Sequence, residues 1–211
     1  MTFDYKKEFK ELYNPTTKPH IIDVPEMNFI LIEGTGNPNE KDGKYSQAIE
    51  LLYAVAYTIK MSYKGDYNIS GFFEYVVPPL EGFWWQDGVK GVDAFSKENF
   101  KWIALIRLPE FVTESDFLWA IAETTKKNKK DYSNIEFRSI REGLCVQAMH
   151  IGPYIDEPNT VDKMHKYISS KGYELDINSD RYHHEIYLNN PSKTPSEKLK
   201  TVIRHPIKLS K

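Results

Sequence analysis

The sequence predicts an α+β fold: two strand–helix–strand–strand units joined edge to edge into a curved antiparallel sheet, with helices on one face and a ligand cleft on the other. Three observations carry this reading. Apolar, β-branched runs bounded by glycine, proline or asparagine recur along the chain, as strands do. Longer stretches carry apolar residues at three- and four-residue steps, as amphipathic helices do. The order of elements also repeats, although no sequence identity links the two halves.

All 211 residues read as a single domain. An amphipathic N-terminal segment, about residues 1–24, precedes a first unit spanning 25–110. There "MNFILIEGTG" is a strand stopped by glycines. Tyr45, Ala48, Ile49, Leu52, Val55, Ala56 and Ile59 form the stripe of a helix. "FFEYVVPPLEGFWW" is a strand interrupted at Pro78-Pro79, where the missing amide donors force an edge or a bend, and "NFKWIALIRLP" is another.

A connecting helix over 111–135 has clear boundaries. Thr113 caps it, Asp116 completes a capping box and Val112 staples onto Phe117. It runs out in "KKNKK", whose lysines suit the negative end of the helix dipole and read as a solvated helix end. The second unit, 136–211, holds the strand "GLCVQAMHIGPY" and a short helix with Val161, Met164, His165 and Ile168 on one side. Gly172 serves as that helix's C-cap, and the strands "YHHEIYLNN" and "LKTVIRHPI" follow.

Composition excludes several classes. A net charge of −2 gives no basic footprint for nucleic acid. The single cysteine, Cys145, permits no intrachain disulfide, and its apolar surroundings read as a packed, inert thiol. No apolar run reaches the length of a membrane span, and the N-terminus lacks a signal peptide's apolar core, so a cytoplasmic location is expected. "GTGNPN" lacks the Walker lysine and the dinucleotide spacing. No cofactor is implied. A small-molecule aromatic ligand is the expected partner, and the oligomeric state stays open.

The chemistry-bearing residues sit on strands. Alternation in "HHEIYL" puts His183, Glu185 and Tyr187 on one face and His184, Ile186 and Leu188 on the other. If the aliphatic pair packs under the helices, Glu185 stands on the open face. It then serves either as a surface carboxylate in a salt bridge or as a desolvated general base or acid. His183 with Glu185 offers only two metal ligands on one face, and no metal is expected. In "PPLEGFWW", Phe83 and Trp85 share one face and Trp84 takes the other, so one core cannot hold both indoles. The expectation is that Trp85, with Phe83, turns to the cleft as a wall for flat or cationic molecules. Tyr75, Tyr154, Met149 and His183 are further lining candidates.

"YSQAIELLYAVAYTIKM", "PPLEGFWW", "QAMHIGPYIDEP", "HHEIYLNNP" and "LKTVIRHPI" together resemble the GyrI-like small-molecule-binding family. More narrowly, they look like its stand-alone branch of cyclopropanoid (cyclopropyl) hydrolases. The resemblance implies a pair of SHS2-type units with a cleft between them and a functional glutamate at Glu185. It implies that Glu185 orients or deprotonates a water which opens a strained cyclopropane conjugated to a dienone. Tyr154 or Tyr187 would then hydrogen-bond the ligand carbonyl as it gains negative charge. The same slot also suits a non-catalytic drug-binding or effector-sensing module with Glu185 as counter-ion. No helix-turn-helix domain fits outside the two units.

Overall fold

The computed structural model describes residues 2–89 and 97–210. Strand β1 (Phe3–Asp4) and helices α1 (Tyr5–Glu8) and α2 (Lys10–Tyr13) form the N-terminal segment. The first half continues with β2 (His20–Thr35), α3 (Lys44–Lys60), β3 (Tyr75–Val76), β4 (Leu80–Trp85) and β5 (Lys101–Arg107). Helix α4 (Glu114–Asn128) links it to β6 (Glu136–Ile151), α5 (Glu157–Ser170), β7 (Tyr173–Leu175), β8 (His183–Tyr187) and β9 (Lys200–Leu209). Among the described residues, no helix is long and apolar enough to cross a membrane.

The expected curved antiparallel sheet is present, and it closes on itself. Its order is β6-β2-β5-β4-β8-β9-β7, and β6 pairs with β9 as well as with β2. Six strands therefore form a barrel, with β7 added to β9 outside the ring. The proline pair separates β3 from β4, and β3 forms a short parallel ladder with β1 instead. Helix α4 starts as its sequence dictates: the Thr113 side chain accepts from the Asp116 amide, and Asp116 accepts from the Thr113 amide. Val112 and Phe117 lie in one apolar cluster, and Gly172, with φ 77°, follows the last residues of α5.

Strand alternation divides the side chains between two faces. Register places Leu31, Leu105, Glu81, Ile186, Val202 and Met149 level with one another around the inner face. On the outer face, Ile30, Ile32, Trp102, Ala104 and Ile106 lie under α3 and α4. Val146, Ala148, Ile203 and Ile207 lie under α5.

The inner face is filled by the N-terminal segment and by paired charges. Tyr5, Leu12 and Tyr13 pack into the same cluster as Phe29, Leu31, Leu105 and Ile186. The Tyr13 hydroxyl donates to Glu81, and the buried Arg204 guanidinium donates to the Leu12 carbonyl. Arg107 lies over the rings of Tyr5 and Phe9 at 4.7 and 4.5 Å and pairs with Glu110. At the centre, His184 contacts Glu142 at 3.0 Å and Glu81 at 2.9 Å, while Arg204 holds Glu142 at 2.6 Å. Buried charges persist only when paired in this way. Cys145 is buried, and burial pushes its thiol up to about 12, in keeping with an inert packed cysteine.

These pairs set a pH window for stability. Burial works to raise the Glu142 carboxyl, but His184 and Arg204 outweigh it and hold the group down to about 2. That contribution is present above the ordinary value of 4.5 and is lost as pH falls toward 2. Burial works to lower His184, but Glu142 and Glu81 outweigh it and raise the group above 6.5. Its contribution is complete below 6.5 and is lost as pH rises through the raised value. Thermal melts should therefore show this network's stabilisation peaking between about pH 4.5 and 6.5. Glu142→Gln should cost about 3–5 kcal/mol, as broken buried pairs do, and flatten the profile; an unchanged profile would detach stability from this pair.

Candidate active site

Strand β8 runs between β4 and β9, so Glu185 stands between Gly82 on one side and Ile203 on the other. His183, Glu185 and Tyr187 share the outer face, the one that carries the helices. Ile186 completes the inner ring instead of packing under a helix, because the closed barrel's interior also demands apolar side chains. Glu185 thus lies on the strip of sheet between the area covered by α3 and α4 and the area covered by α5.

Glycine at position 82 shapes the floor of this strip. A Cβ there would meet Trp84 Nε1 at 2.6 Å and the Tyr187 hydroxyl at 3.1 Å. The space left open lets Trp84 Nε1 donate to the Tyr187 oxygen at 2.9 Å. The Tyr187 hydroxyl also interacts with the Glu185 carboxylate. His183 Nε2 lies 2.9 Å from Glu185 Oε1 on the other flank.

The walls come from elements distant in sequence. Tyr45 reaches in from the first turn of α3, packing 5.0 Å from the Trp84 ring and sensing the Glu185 charge. Glu157, from the start of α5, is only 8% exposed, and its Oε1 has no hydrogen-bond partner among the described residues. Tyr154, in the single 3₁₀ turn before α5, stands edge-on to Tyr187 with ring centroids 6.1 Å apart. It remains 38% exposed at the rim.

Electrostatics separate the two carboxyls. Burial, and then the negative charge of Glu185, push Glu157 well above the usual carboxylate range. Glu157 therefore holds its proton more tightly than an ordinary carboxyl, set beside Glu185. Burial and the charges of Glu185 and Glu157 push the Tyr154 phenol up to about 12. Burial and Glu185 likewise raise Tyr187. Both tyrosines keep their protons and can donate them as hydrogen bonds. Glu157, His183 and Glu185 each bring one ligand-type atom within 4.8 Å of the others, so Glu157 adds a third candidate metal ligand to the two visible in sequence. Both nitrogens of His183 are already engaged, by Glu185 and His205, and Glu157 stands beside this hydrogen-bonded pair.

Of the residues singled out from sequence, the fold gathers Glu185, Tyr187, Tyr154, His183 and Trp84. It does not bring Phe83, Trp85, Tyr75 or Met149 to them. Register pairs Gly82 with Glu185 and Trp84 with His183, so Phe83 and Trp85 necessarily face away. This corrects the expectation that Trp85 and Phe83 line the Glu185 cleft. Phe83 packs edge-on to the inner His184 at 4.5 Å, and Trp85 rests on Tyr182 at 4.6 Å. Tyr75 packs with Tyr5 and Phe111, and Met149 lies in the inner ring. Trp84 has the opposite placement: it is buried under α3, between Tyr45 and Phe100, and presents its N–H edge to the site.

Sequence reasoning missed Glu157 and Tyr45. Glu157 follows "GPYID" at a helix start, where an acidic residue ordinarily answers the helix dipole. Tyr45 reads as one more position of an apolar helical stripe. Neither can be tied to Glu185 by alternation within one strand. His150 is occupied elsewhere, with its nitrogens 2.9 Å from Thr160 Oγ1 and 3.1 Å from the Pro153 carbonyl. Two surface cavities, of about 310 and 340 Å³, open away from Glu185: one beside Phe83 and Tyr182, the other beside Met149 and Thr160.

Gly82→Ala tests this floor. The added methyl must push the Trp84 indole off the Tyr187 hydroxyl, at an overpacking cost of about 1–3 kcal/mol. Denaturant melts should show that loss, and tryptophan emission should change; a variant of full stability with unaltered emission would show that the close approach is not required.

Comparison with known proteins places this geometry. A crystal structure of an uncharacterised conserved protein from Listeria innocua is 43% identical, with a TM-score of 0.92, covering 98% of this chain and all of the other. A hydrolase from the same organism is 42% identical, with a TM-score of 0.89 and the same coverage. The C-terminal domain of EcmrR, at 15% identity and a TM-score of 0.55 over 91% of this chain and 98% of the other, shares the fold alone. No match was found among curated proteins. Residues 17–208 match the GyrI-like small molecule binding domain. The chain belongs to the GyrI-like small-molecule-binding family.

Proposed function

We infer that this protein binds flat, lipophilic aromatic molecules over Glu185 and hydrolyses the cyclopropane ring of cyclopropanoid genotoxins. The observation that carries the reading is the pair of neighbouring carboxyls, Glu185 and Glu157, of which burial and the charge of Glu185 push Glu157 well above the usual carboxylate range. A base and an acid set side by side are what water addition across a strained ring requires. The 42% identity to a hydrolase over nearly the whole chain supports the reaction class.

In this reading, Tyr154 at the rim stacks against the ligand and Trp84 supports the floor. Water attacks a cyclopropane carbon, and Glu185 takes its proton. The ring C–C bond breaks, and its electron pair flows into the conjugated dienone, which becomes a phenolate. Glu157 supplies the proton that this oxygen gains, with the Tyr154 hydroxyl as a hydrogen-bond donor to the developing charge. Tyr187, bonded to Trp84 and Glu185, holds the base in place. Ring strain and aromatisation drive the step, and no cofactor is consumed. The second reading, non-catalytic binding of cationic aromatics, is favoured by the unpartnered Oε1 of Glu157, which an ammonium or iminium group would satisfy.

Incubation with a cyclopropane-containing dienone, followed by mass spectrometry, tests the proposal. The expected product is heavier by one water and forms over many turnovers. General-base help is worth about 10²–10⁴ in rate, so Glu185→Gln should slow turnover by at least tenfold and leave binding intact. Unchanged compound bound tightly to the wild type would leave the protein a binder. Because catalysis uses the protonated form of Glu157, the rate should fall as pH rises through that group's raised value, and Glu157→Gln should remove this alkaline limb. A limb that survives Glu157→Gln would take the acid role from Glu157.

A further inference from the structure

Glu185 and Glu157 share a dry site in which positive charge is scarce. In the barrel interior, the Glu142 carboxylate is answered by Arg204 as well as His184. Neither carboxyl of the outer site pairs with a lysine or arginine among the described residues. Glu185 meets the His183 ring, 2.9 Å from its Oε1, and the Tyr187 hydroxyl. Glu157 is more than nine-tenths buried, and its Oε1 has no hydrogen-bond partner among the described residues. Carboxyls taken out of water are costly to the fold unless a cation or further hydrogen bonds compensate them.

The geometry around them is that of a chelate. Glu157, from the start of α5, and His183 and Glu185, two residues apart on β8, each bring one ligand-type atom within 4.8 Å of the others. Two atoms bound to one zinc ion lie at most about 4.2 Å apart, so a small rotation of a carboxylate draws the trio in. His183 Nε2 and Glu185 Oε1, 2.9 Å apart, already stand near the roughly 3.3 Å between neighbouring tetrahedral ligands. Both β8 side chains are also held from behind, as metal ligands are. His205 Nε2 lies 2.7 Å from His183 Nδ1, and the Tyr187 hydroxyl interacts with Glu185. Beyond His205, Nε2 of His165 on α5 lies 3.0 Å from His205 Nδ1.

We propose that Glu157, His183 and Glu185 bind a divalent transition-metal ion of the zinc class. One imidazole and two carboxylates suit that class, and three protein ligands leave a fourth position for water. The site does not depend on the hydrolase reading. Ion and base exclude one another, because the ion takes the Glu185 lone pair that would accept a proton from water. Binding also reverses the row of histidines behind the site. Without metal, His183 Nε2–H donates to Glu185, so His183 Nδ1 accepts from His205 Nε2–H and His205 Nδ1 accepts from His165 Nε2–H. The ion displaces the His183 Nε2 proton to solvent. His183 then donates from Nδ1 to His205 Nε2, His205 donates from Nδ1 to His165 Nε2, and His165 takes a proton from solvent at Nδ1. One proton leaves the row and one enters it, so each imidazole stays neutral. The proton on Glu157 is released to solvent as well.

Two measurements test the site. Metal-free protein titrated with Co²⁺ should develop the visible absorption of a low-coordinate cobalt ion, saturating at a single ion per chain, and Zn²⁺ should bleach it. Glu157→Gln, which keeps the size of the side chain, should weaken cobalt binding at least about tenfold, the lower end of what even a supporting group around a metal is worth. No binding by the wild type, or an unchanged affinity in Glu157→Gln, would overturn the site. In wild-type protein labelled with ¹⁵N-histidine, Zn²⁺ should move His183 Nε2 to the shift of a metal-bound nitrogen and exchange the protonated nitrogens of His205 and His165. Zinc bound with these nitrogens unmoved would be an adventitious surface ion and would also overturn the site. A wild type that shows the exchange, yet hydrolyses no cyclopropane when free of metal, would keep the metal site and remove the hydrolase reading.

Discussion

Everything in this fold depends on β6 pairing along both edges, with β2 on one side and β9 on the other. An open curved sheet can leave one face to solvent; a ring of six strands has an inside. That inside must be filled, and its polar groups must find partners within it. The N-terminal segment and the Glu81–His184–Glu142–Arg204 network meet the two demands. With the interior occupied, Glu185 and its partners lie on the outer face. There the helices of the two halves leave a strip of β4 and β8 between them.

On that strip a few side chains divide the labour. Gly82 makes room, Trp84 and Tyr187 brace one flank of Glu185, and His183 braces the other. Glu157 arrives with its Oε1 unpartnered among the described residues. Burial and the nearby charge of Glu185 both strengthen Glu157's hold on its proton. The same arrangement that costs the fold a buried carboxyl sets that carboxyl beside Glu185. A sensor and a hydrolase can both be built on it, and they differ in whether the ligand holds a bond that water can break.

Much of this was legible in the sequence because it depends on local periodicity. The α4 capping box, the apolar stripe of α3 and the shared face of His183, Glu185 and Tyr187 all follow from spacing alone. What depends on register between distant strands was not legible. Whether Trp84 or Trp85 joins Glu185 is decided by β4 pairing with β8 such that Gly82 faces Glu185, and a slip of one residue would exchange them. Barrel closure was hidden for a related reason. The polar first half of β6, "EFRSIRE", lacks a strand's apolar alternation and is held by its ladder to β2. Glu157 and Tyr45 reach the site only through the packing of α5 and α3 on the sheet.

The central claim is that Glu157, pushed well above the usual carboxylate range, is the carboxyl that keeps a proton beside Glu185. Infrared difference spectroscopy between the wild type and Glu157→Gln at pH 7 addresses it directly. The account predicts that the wild type carries the carbonyl stretch of a buried, protonated carboxylic acid and that Glu157→Gln loses it. A wild type without that band, or a band removed by Glu185→Gln but kept in Glu157→Gln, would contradict the assignment of acid and base.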